Sequence, residues 1–440
     1  MQKHVITAAA ALVGVLALAI ATGHAPALVA QTTGRGAAAA QTPGGPGGPG
    51  SPGSPGSPGS PGSIVPFKIH VDEDVLRDLK ARLARTRFPD EIPGTGWDYG
   101  TDLAYLKELV AYWRDKYDWR AAERRLNELE QFTTNIDGIQ IHFIHQRSKQ
   151  PRAMPLAITH GWPGSIFEFT KVIGPLTDPE RFGGRAVDAF HVVAISLPGF
   201  GFSGHPGERG YSPERMASII AKLMARLGYT RYGVQGGDWG GIISRLVALN
   251  DASHVSGLHL NFCIGGAPPG ADPNAGVPAA ELERMQARNA YMENERAYQQ
   301  IQATKPQTLG FGLNDSPAGL AAWIIEKFRA WCDCDGNVEK KFTKDDLLTN
   351  VMIYWATQTA TSSARIYFEN RVAGGTQARV TVPTACALFP KEITVPPRRW
   401  VEARYNLTRW TEMPRGGHFA ALEEPQLLVD DVRAFFRDLR

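Results

Sequence analysis

The segment Val234-Gln235-Gly236-Gly237-Asp238-Trp239-Gly240-Gly241 constrains the fold of this chain more than any other. A strand pattern, Tyr232 to Gln235, runs into it, and a helical pattern, Gly241 to Asn250, leaves it. Its glycine spacing is that of a nucleophile elbow, a strand-to-helix turn sharp enough to lift its central side chain above the sheet edge. Gly236 and Gly240 suit such a turn because they lack a Cβ. The central residue is Asp238, where a hydrolase of this type usually has serine. An aspartate is ionised at neutral pH without help from a base. A carboxylate can displace a leaving group at saturated carbon and form an ester, which points to epoxides or alkyl halides. The competing reading is that Asp238 caps the following helix, a position that Asp favours.

Two further segments bear on that choice. In Pro155-Leu156-Ala157-Ile158-Thr159-His160-Gly161-Trp162-Pro163-Gly164-Ser165, an apolar strand ends in a turn with proline and two glycines. Such a loop can aim a backbone N–H, that of Trp162, at the oxygen of an ester intermediate. The N–H of Trp239, next to the nucleophile, supplies the second donor of an oxyanion hole. Late in the chain, Arg415-Gly416-Gly417-His418-Phe419-Ala420 packs glycines around a histidine, followed by Glu423-Glu424-Pro425 and a helical pattern. His418 stands where the base belongs in the order nucleophile, acid, histidine. The acid falls between them. Glu392 follows the strand-like Thr381 to Leu388 and can reach the histidine Nδ1–H. Glu402 and Glu412 are alternatives in helix-like and pre-loop stretches.

With these residues in view, the chain resembles the epoxide hydrolases of the α/β-hydrolase superfamily, in the microsomal-type branch that includes juvenile hormone epoxide hydrolases. The resemblance runs from about Pro66 to the C-terminus. It includes the HGWPGS loop, the GGDWGG elbow, the stretches Gln302 to Thr308 and Leu313 to Leu320, and the RGGHFAALEEP tail. It implies an α/β fold with a mostly parallel sheet, helices on both faces, a helical lid and an N-terminal wrapping region. It also aligns two epoxide-oxygen acids with Tyr298 and Tyr367, leaving Tyr291 and Tyr354 as packing residues. A tyrosine hydroxyl suits that task, because a bare alkoxide is a poor leaving group near neutral pH.

The chain divides accordingly. Residues 1–30 read as a signal peptide or anchor, with Lys3 and His4 ahead of an apolar run from Val5 to Ala21. That run is near the lower edge of a membrane span, about 17–25 residues. The expectation is a secreted, periplasmic or cell-envelope protein, with membrane anchoring as the alternative if the segment stays uncleaved. Residues 31–63 are a Gly/Pro/Ser-rich disordered linker. An N-terminal region spans 64–132, with helical stretches Asp72 to Arg85 and Thr101 to Leu129. The first part of the α/β core spans 133–266, with strands at Ile139 to His145, Leu156 to Thr159, His191 to Ser196 and Tyr232 to Gln235. A helical lid covers 267–376, and the core resumes over 377–440.

Composition sets the remaining bounds. With 43% hydrophobic and 21% charged residues in 440, the chain has ample core for one large domain. A net charge of +3 with interspersed signs predicts no nucleic-acid partner. Cys263, Cys332, Cys334 and Cys386 are too few and scattered for a disulfide framework. Cys332-Asp333-Cys334 lacks the second half of a zinc site, so neither metal nor cofactor is expected. The partner is a small apolar epoxide that becomes a vicinal diol, and no oligomeric state follows from the sequence. Two alternatives stand beside this reading, a haloalkane dehalogenase-like hydrolase and a catalytically inactive secreted binding protein.

Overall fold

Strands buried on both faces belong in the middle of a parallel sheet, and half-buried ones at its antiparallel edge. Both kinds occur in the computed structural model, which describes residues 62–270 and 272–440. The expected leader, and all but the last two residues of the expected linker, lie outside the described residues.

The nine strands are β1 (Val65–Phe67), β2 (Gln131–Ile136), β3 (Ile139–Gln146), β4 (Met154–Thr159), β5 (Phe190–Ile195), β6 (Tyr232–Gly236), β7 (Val255–Leu260), β8 (Val380–Leu388) and β9 (Tyr405–Glu412). They form one sheet in the order β1-β2-β3-β5-β4-β6-β7-β8-β9. Every residue of β6 and β7 is buried, and pairing is parallel from β5 through β9. The first three strands are antiparallel to their neighbours, with β3 pairing β5. This is an α/β-hydrolase fold. One apolar cluster, with Val193, Val234 and Ile243, lies on one face, and a second, with Ile144, Leu156 and Phe436, covers the other.

Three helices precede β2: α1 (Glu73–Ala84), α2 (Leu103–Asp115) and α3 (Trp119–Leu126). The helical pattern over Thr101 to Leu129 is thus two helices rather than one. Asp118 starts the second, because its side chain accepts from the Ala121 amide at 3.2 Å instead of leaving the backbone to continue the first. Helices α4 (Pro213–Arg226) and α5 (Asp238–Asn250) flank β6.

Between β7 and β8 the chain leaves the sheet for α6 (Ala279–Glu293), α7 (Ala297–Thr304), α8 (Pro306–Asp315), α9 (Pro317–Trp331), α10 (Lys344–Thr357) and α11 (Ala360–Ala373). The N-terminal helices bind this insertion. Arg82 of α1 pairs with Asp315 at 2.7 Å, and the Tyr117 hydroxyl meets that of Thr349 at 3.0 Å.

The cysteines depart from the sequence expectation. Cys263, just past β7, is bonded to Cys386 in β8, and Cys332 to Cys334 in the turn after α9. Residues 123 apart in sequence meet because β7 and β8 are sheet neighbours, a pairing that sequence spacing does not reveal. Four strands are likewise additions to the sequence reading: short β1, β2, β7, and β9, which Glu412 ends just ahead of the loop that carries His418.

Candidate active site

The elbow between β6 and α5 permits no side chains at its crossing points. A Cβ on Gly236 would lie 2.3 Å from the Gly240 carbonyl oxygen, and one on Gly240 would lie 1.9 Å from that of Thr159. This packing holds Asp238 at φ +50°, in the left-handed region that non-glycine residues adopt at a cost. Gly237 occupies the N-cap position, and no side chain caps the helix. The capping role for Asp238 is therefore excluded. Its carboxylate turns instead toward the loop after β4, where Oδ1 accepts from the Trp162 amide at 2.7 Å. The Trp239 amide is in the first turn of α5, where amides have no intrahelical acceptor.

On the other side of Asp238 stands His418, almost fully buried, with Nε2 3.5 Å from Asp238 Oδ2. Its Nδ1 shares a hydrogen bond with Glu392 Oε1, and Glu392 is itself fully buried just past β8. Burial disfavours the charged imidazole, but the Glu392 and Asp238 carboxylates together outweigh it and raise His418 to about 10. Glu402 and Glu412 point elsewhere, to Arg398 and Arg284.

The insertion brings Tyr298 (α7) and Tyr367 (α11) near enough to Asp238 for its charge to act on both phenols. Their rings meet edge to face with centroids 5.8 Å apart. Trp162 stacks on Tyr298 at 5.2 Å, and Trp239 abuts Tyr367 at 4.8 Å. The Tyr367 hydroxyl is buried near Trp239 and Tyr298, yet no described side chain completes a hydrogen bond to it in distance and angle. Both phenols are held well above their ordinary pKa, chiefly by burial and further by neighbouring charge from Asp238, so they stay neutral donors. Tyr354 and Tyr291 are committed elsewhere, donating to the Gly164 and Ala330 carbonyls at 2.6 and 2.8 Å.

Two residues at the site escape a sequence reading. Trp331, at the end of α9, packs against Tyr298 at 5.3 Å and His418 at 5.1 Å. Glu168, four residues beyond the turn, is pushed up to about 8 chiefly by desolvation, a shift opposed by His418 and reinforced by Asp238 and Glu392. An apolar or acidic residue in a helix gives no sign of such a neighbour. Two surface depressions, one bordered by Arg231 and Arg440 and one by Trp113 and Trp119, lie away from Asp238.

With this geometry established, known proteins show where the chain belongs. Residues 64–169 match the family described as epoxide hydrolase N terminus, and 155–262 match the alpha/beta hydrolase fold. Epoxide hydrolase 1 of Oryctolagus cuniculus is 40% identical over 409 residues, covering 85% of this chain and 88% of that protein. The chain belongs to the epoxide hydrolases. Juvenile hormone epoxide hydrolase 2 of Ctenocephalides felis is also 40% identical, covering 84% of both chains. Among solved epoxide hydrolases, the juvenile hormone enzyme of Bombyx mori superposes with a TM-score of 0.80 at 34% identity, covering 86% of this chain and 95% of that one. The Aspergillus niger epoxide hydrolase gives 0.77 at 31% identity, covering 86% and 97%.

Proposed function

We propose that this epoxide hydrolase opens an apolar epoxide through an ester on Asp238 and releases a vicinal diol. The observation that carries the reading is the pair of buried, neutral tyrosines beside the Asp238 carboxylate, whose second oxygen meets no backbone donor among the described residues. Asp238 Oδ2 attacks a ring carbon, the ring C–O bond breaks, and Tyr298 or Tyr367 gives its proton to the departing oxygen. Oδ1 stays with the Trp162 amide and becomes the ester carbonyl oxygen.

Ester formation then prepares the second step. While Asp238 is charged it helps keep His418 protonated. Esterification removes that charge, so the imidazole loses its proton more easily and can act as base. His418, oriented by Glu392, takes a proton from water as the water oxygen attacks the Asp238 carbonyl carbon. The oxyanion is held by the Trp162 and Trp239 amides. Cleavage of the bond between that carbonyl carbon and the ester oxygen, with the proton returned from His418, frees the diol, and the proton left on the Asp238 carboxyl passes to the phenolate, which restores both groups. Trp162, Trp239 and Trp331 make the surroundings apolar, which suits an apolar substrate. The haloalkane reading is weaker, because both indole rings beside Asp238 pack against the tyrosines.

The test is intact-mass spectrometry of His418→Gln after exposure to an aryl epoxide and, separately, a bromoalkane. An adduct with the full epoxide mass on Asp238 supports the reading. An alkyl adduct from the bromide alone would make the enzyme a dehalogenase. We further propose that residues 1–30 direct export, which N-terminal sequencing of the native protein would check.

A further inference from the structure

The base sits on a loop outside any strand, and four consecutive amides of that loop are hydrogen-bonded. The Gly416 amide donates to Asp333 Oδ2 at 2.8 Å, and Gly417 to Glu423 Oε2 at 3.0 Å. The His418 amide donates to the Trp331 carbonyl at 2.9 Å, and Phe419 to Glu423 Oε1 at 2.9 Å. Glu423 Oε2 also accepts from the Asp333 amide at 2.9 Å, which closes the circuit. Two of these acceptors, Trp331 and Asp333, belong to the helical insertion. The Cys332–Cys334 disulfide closes the turn that presents Asp333.

The fit is tight. A Cβ on Gly417 would lie 2.3 Å from the Trp331 carbonyl oxygen. The adjacent Glu424 adds an outer tie, pairing with Lys341 of the insertion at 2.7 Å and with Arg415 at 2.9 Å. Asp238, by contrast, is held by the elbow and the Trp162 amide, and it meets this loop through the His418 ring, whose Nε2 stands 3.5 Å from Oδ2.

We propose that Glu423 and Asp333 are positioning residues that clamp the His418 loop to the helical insertion and align the base for ester hydrolysis. The inference rests on the two-step reading above and adds to it a division of labour: the clamp serves the second step and not the first. Loosening it lets the imidazole drift from Glu392 and from the ester carbonyl, while the nucleophile and the phenols keep their supports. A displacement of about 1 Å at a reacting group is enough to slow a step by about 10²-fold.

The experiment measures both steps separately in the full chain by rapid quench and mass spectrometry, for wild type, Glu423→Gln, Asp333→Asn and the double variant. The expected result is ester formation within about twofold of wild type and ester hydrolysis slowed at least about 10-fold in each single variant. The double variant should fall short of the product of the two, as members of one network do. The second readout is the downfield His418 Nδ1 proton shared with Glu392, followed by NMR without substrate. It should broaden and exchange at least about 10-fold faster in Glu423→Gln. Equal slowing of both steps, or an unchanged hydrolysis rate, overturns the clamp. If wild type forms no ester on Asp238, the two-step reading fails, and the NMR proton alone then decides the clamp, an unchanged signal overturning it.

Discussion

Replacing Tyr367 with phenylalanine should make the protein more stable and the enzyme slower. The hydroxyl is buried without a hydrogen-bond partner among the described side chains, and such a group costs about 1–3 kcal/mol. The phenyl ring keeps its edge-to-face contacts with Trp239 and Trp162, whose centroids lie 4.8 and 6.0 Å away. The Tyr367→Phe variant would therefore lose the penalty and little packing. With an unfolding entropy of about 2.1 cal/mol/K per residue over roughly 380 described residues, the gain corresponds to a rise in Tm of roughly 1–4 °C. A general acid contributes typically about 10²–10⁴-fold. Because Tyr298 still donates, the loss should fall near the lower end, about 10²-fold, and only in ester formation. Thermal unfolding by circular dichroism and single-turnover quench with a radiolabelled epoxide measure the two effects. A lower Tm with an unchanged rate of ester formation would refute the reasoning, because the hydroxyl would then be a structural donor and not an acid.

Other consequences follow from the same geometry. Gly161→Ala places a methyl 1.9 Å from Asp238 Oδ1, so ester formation should fall by about 10²-fold or more, read by the same quench assay. Hydrolysis of the ester needs neutral His418, so its rate should rise with pH to an inflection below about 10, since the ester has lost the charge that helps hold His418 there. The free enzyme gives the opposite sign in stability. A folded pKa of about 10 lies above the ordinary 6.5 of histidine, so this pairing stabilises fully below about pH 6.5 and is lost as pH rises through 10. Wild type should accordingly lose more Tm between about pH 7 and 10 than His418→Gln, as measured by calorimetry.

The contrast between what the sequence discloses and what it withholds has a physical basis. The elbow is legible because its requirements are local: Gly236, Asp238 and Gly240 lie close together in the chain, and each glycine marks a backbone approach. His418 is legible for a similar reason, with Gly416 and Gly417 beside it. The strands with strong apolar runs stand out, while β9, with only Tyr405 fully buried, does not. Contacts across the fold leave no local mark. Nothing near Cys263 points to Cys386, and nothing in the α9 pattern shows that Trp331 will face His418. Tyr298 and Tyr367 are singled out by resemblance, since periodicity alone treats all four tyrosines of the insertion alike. The structure separates them by what their hydroxyls meet: a backbone carbonyl for Tyr291 and Tyr354, and no hydrogen-bond partner among the described residues for Tyr367, while Tyr298 and Tyr367 both feel the Asp238 charge.

The ester on Asp238 is tested most directly by one turnover in H₂¹⁸O with enzyme in excess over a simple epoxide. Water attack on the ester carbonyl leaves the heavy oxygen in Asp238 and sends an enzyme oxygen into the product. The first-turnover diol should therefore be unlabelled, and the peptide containing Asp238 should gain about 2 Da, ¹⁸O in place of ¹⁶O, as cleavage at the acyl carbon of a covalent ester requires. Heavy oxygen in the first-turnover diol, with an unlabelled Asp238 peptide, would mean that water opens the ring directly and would contradict the account.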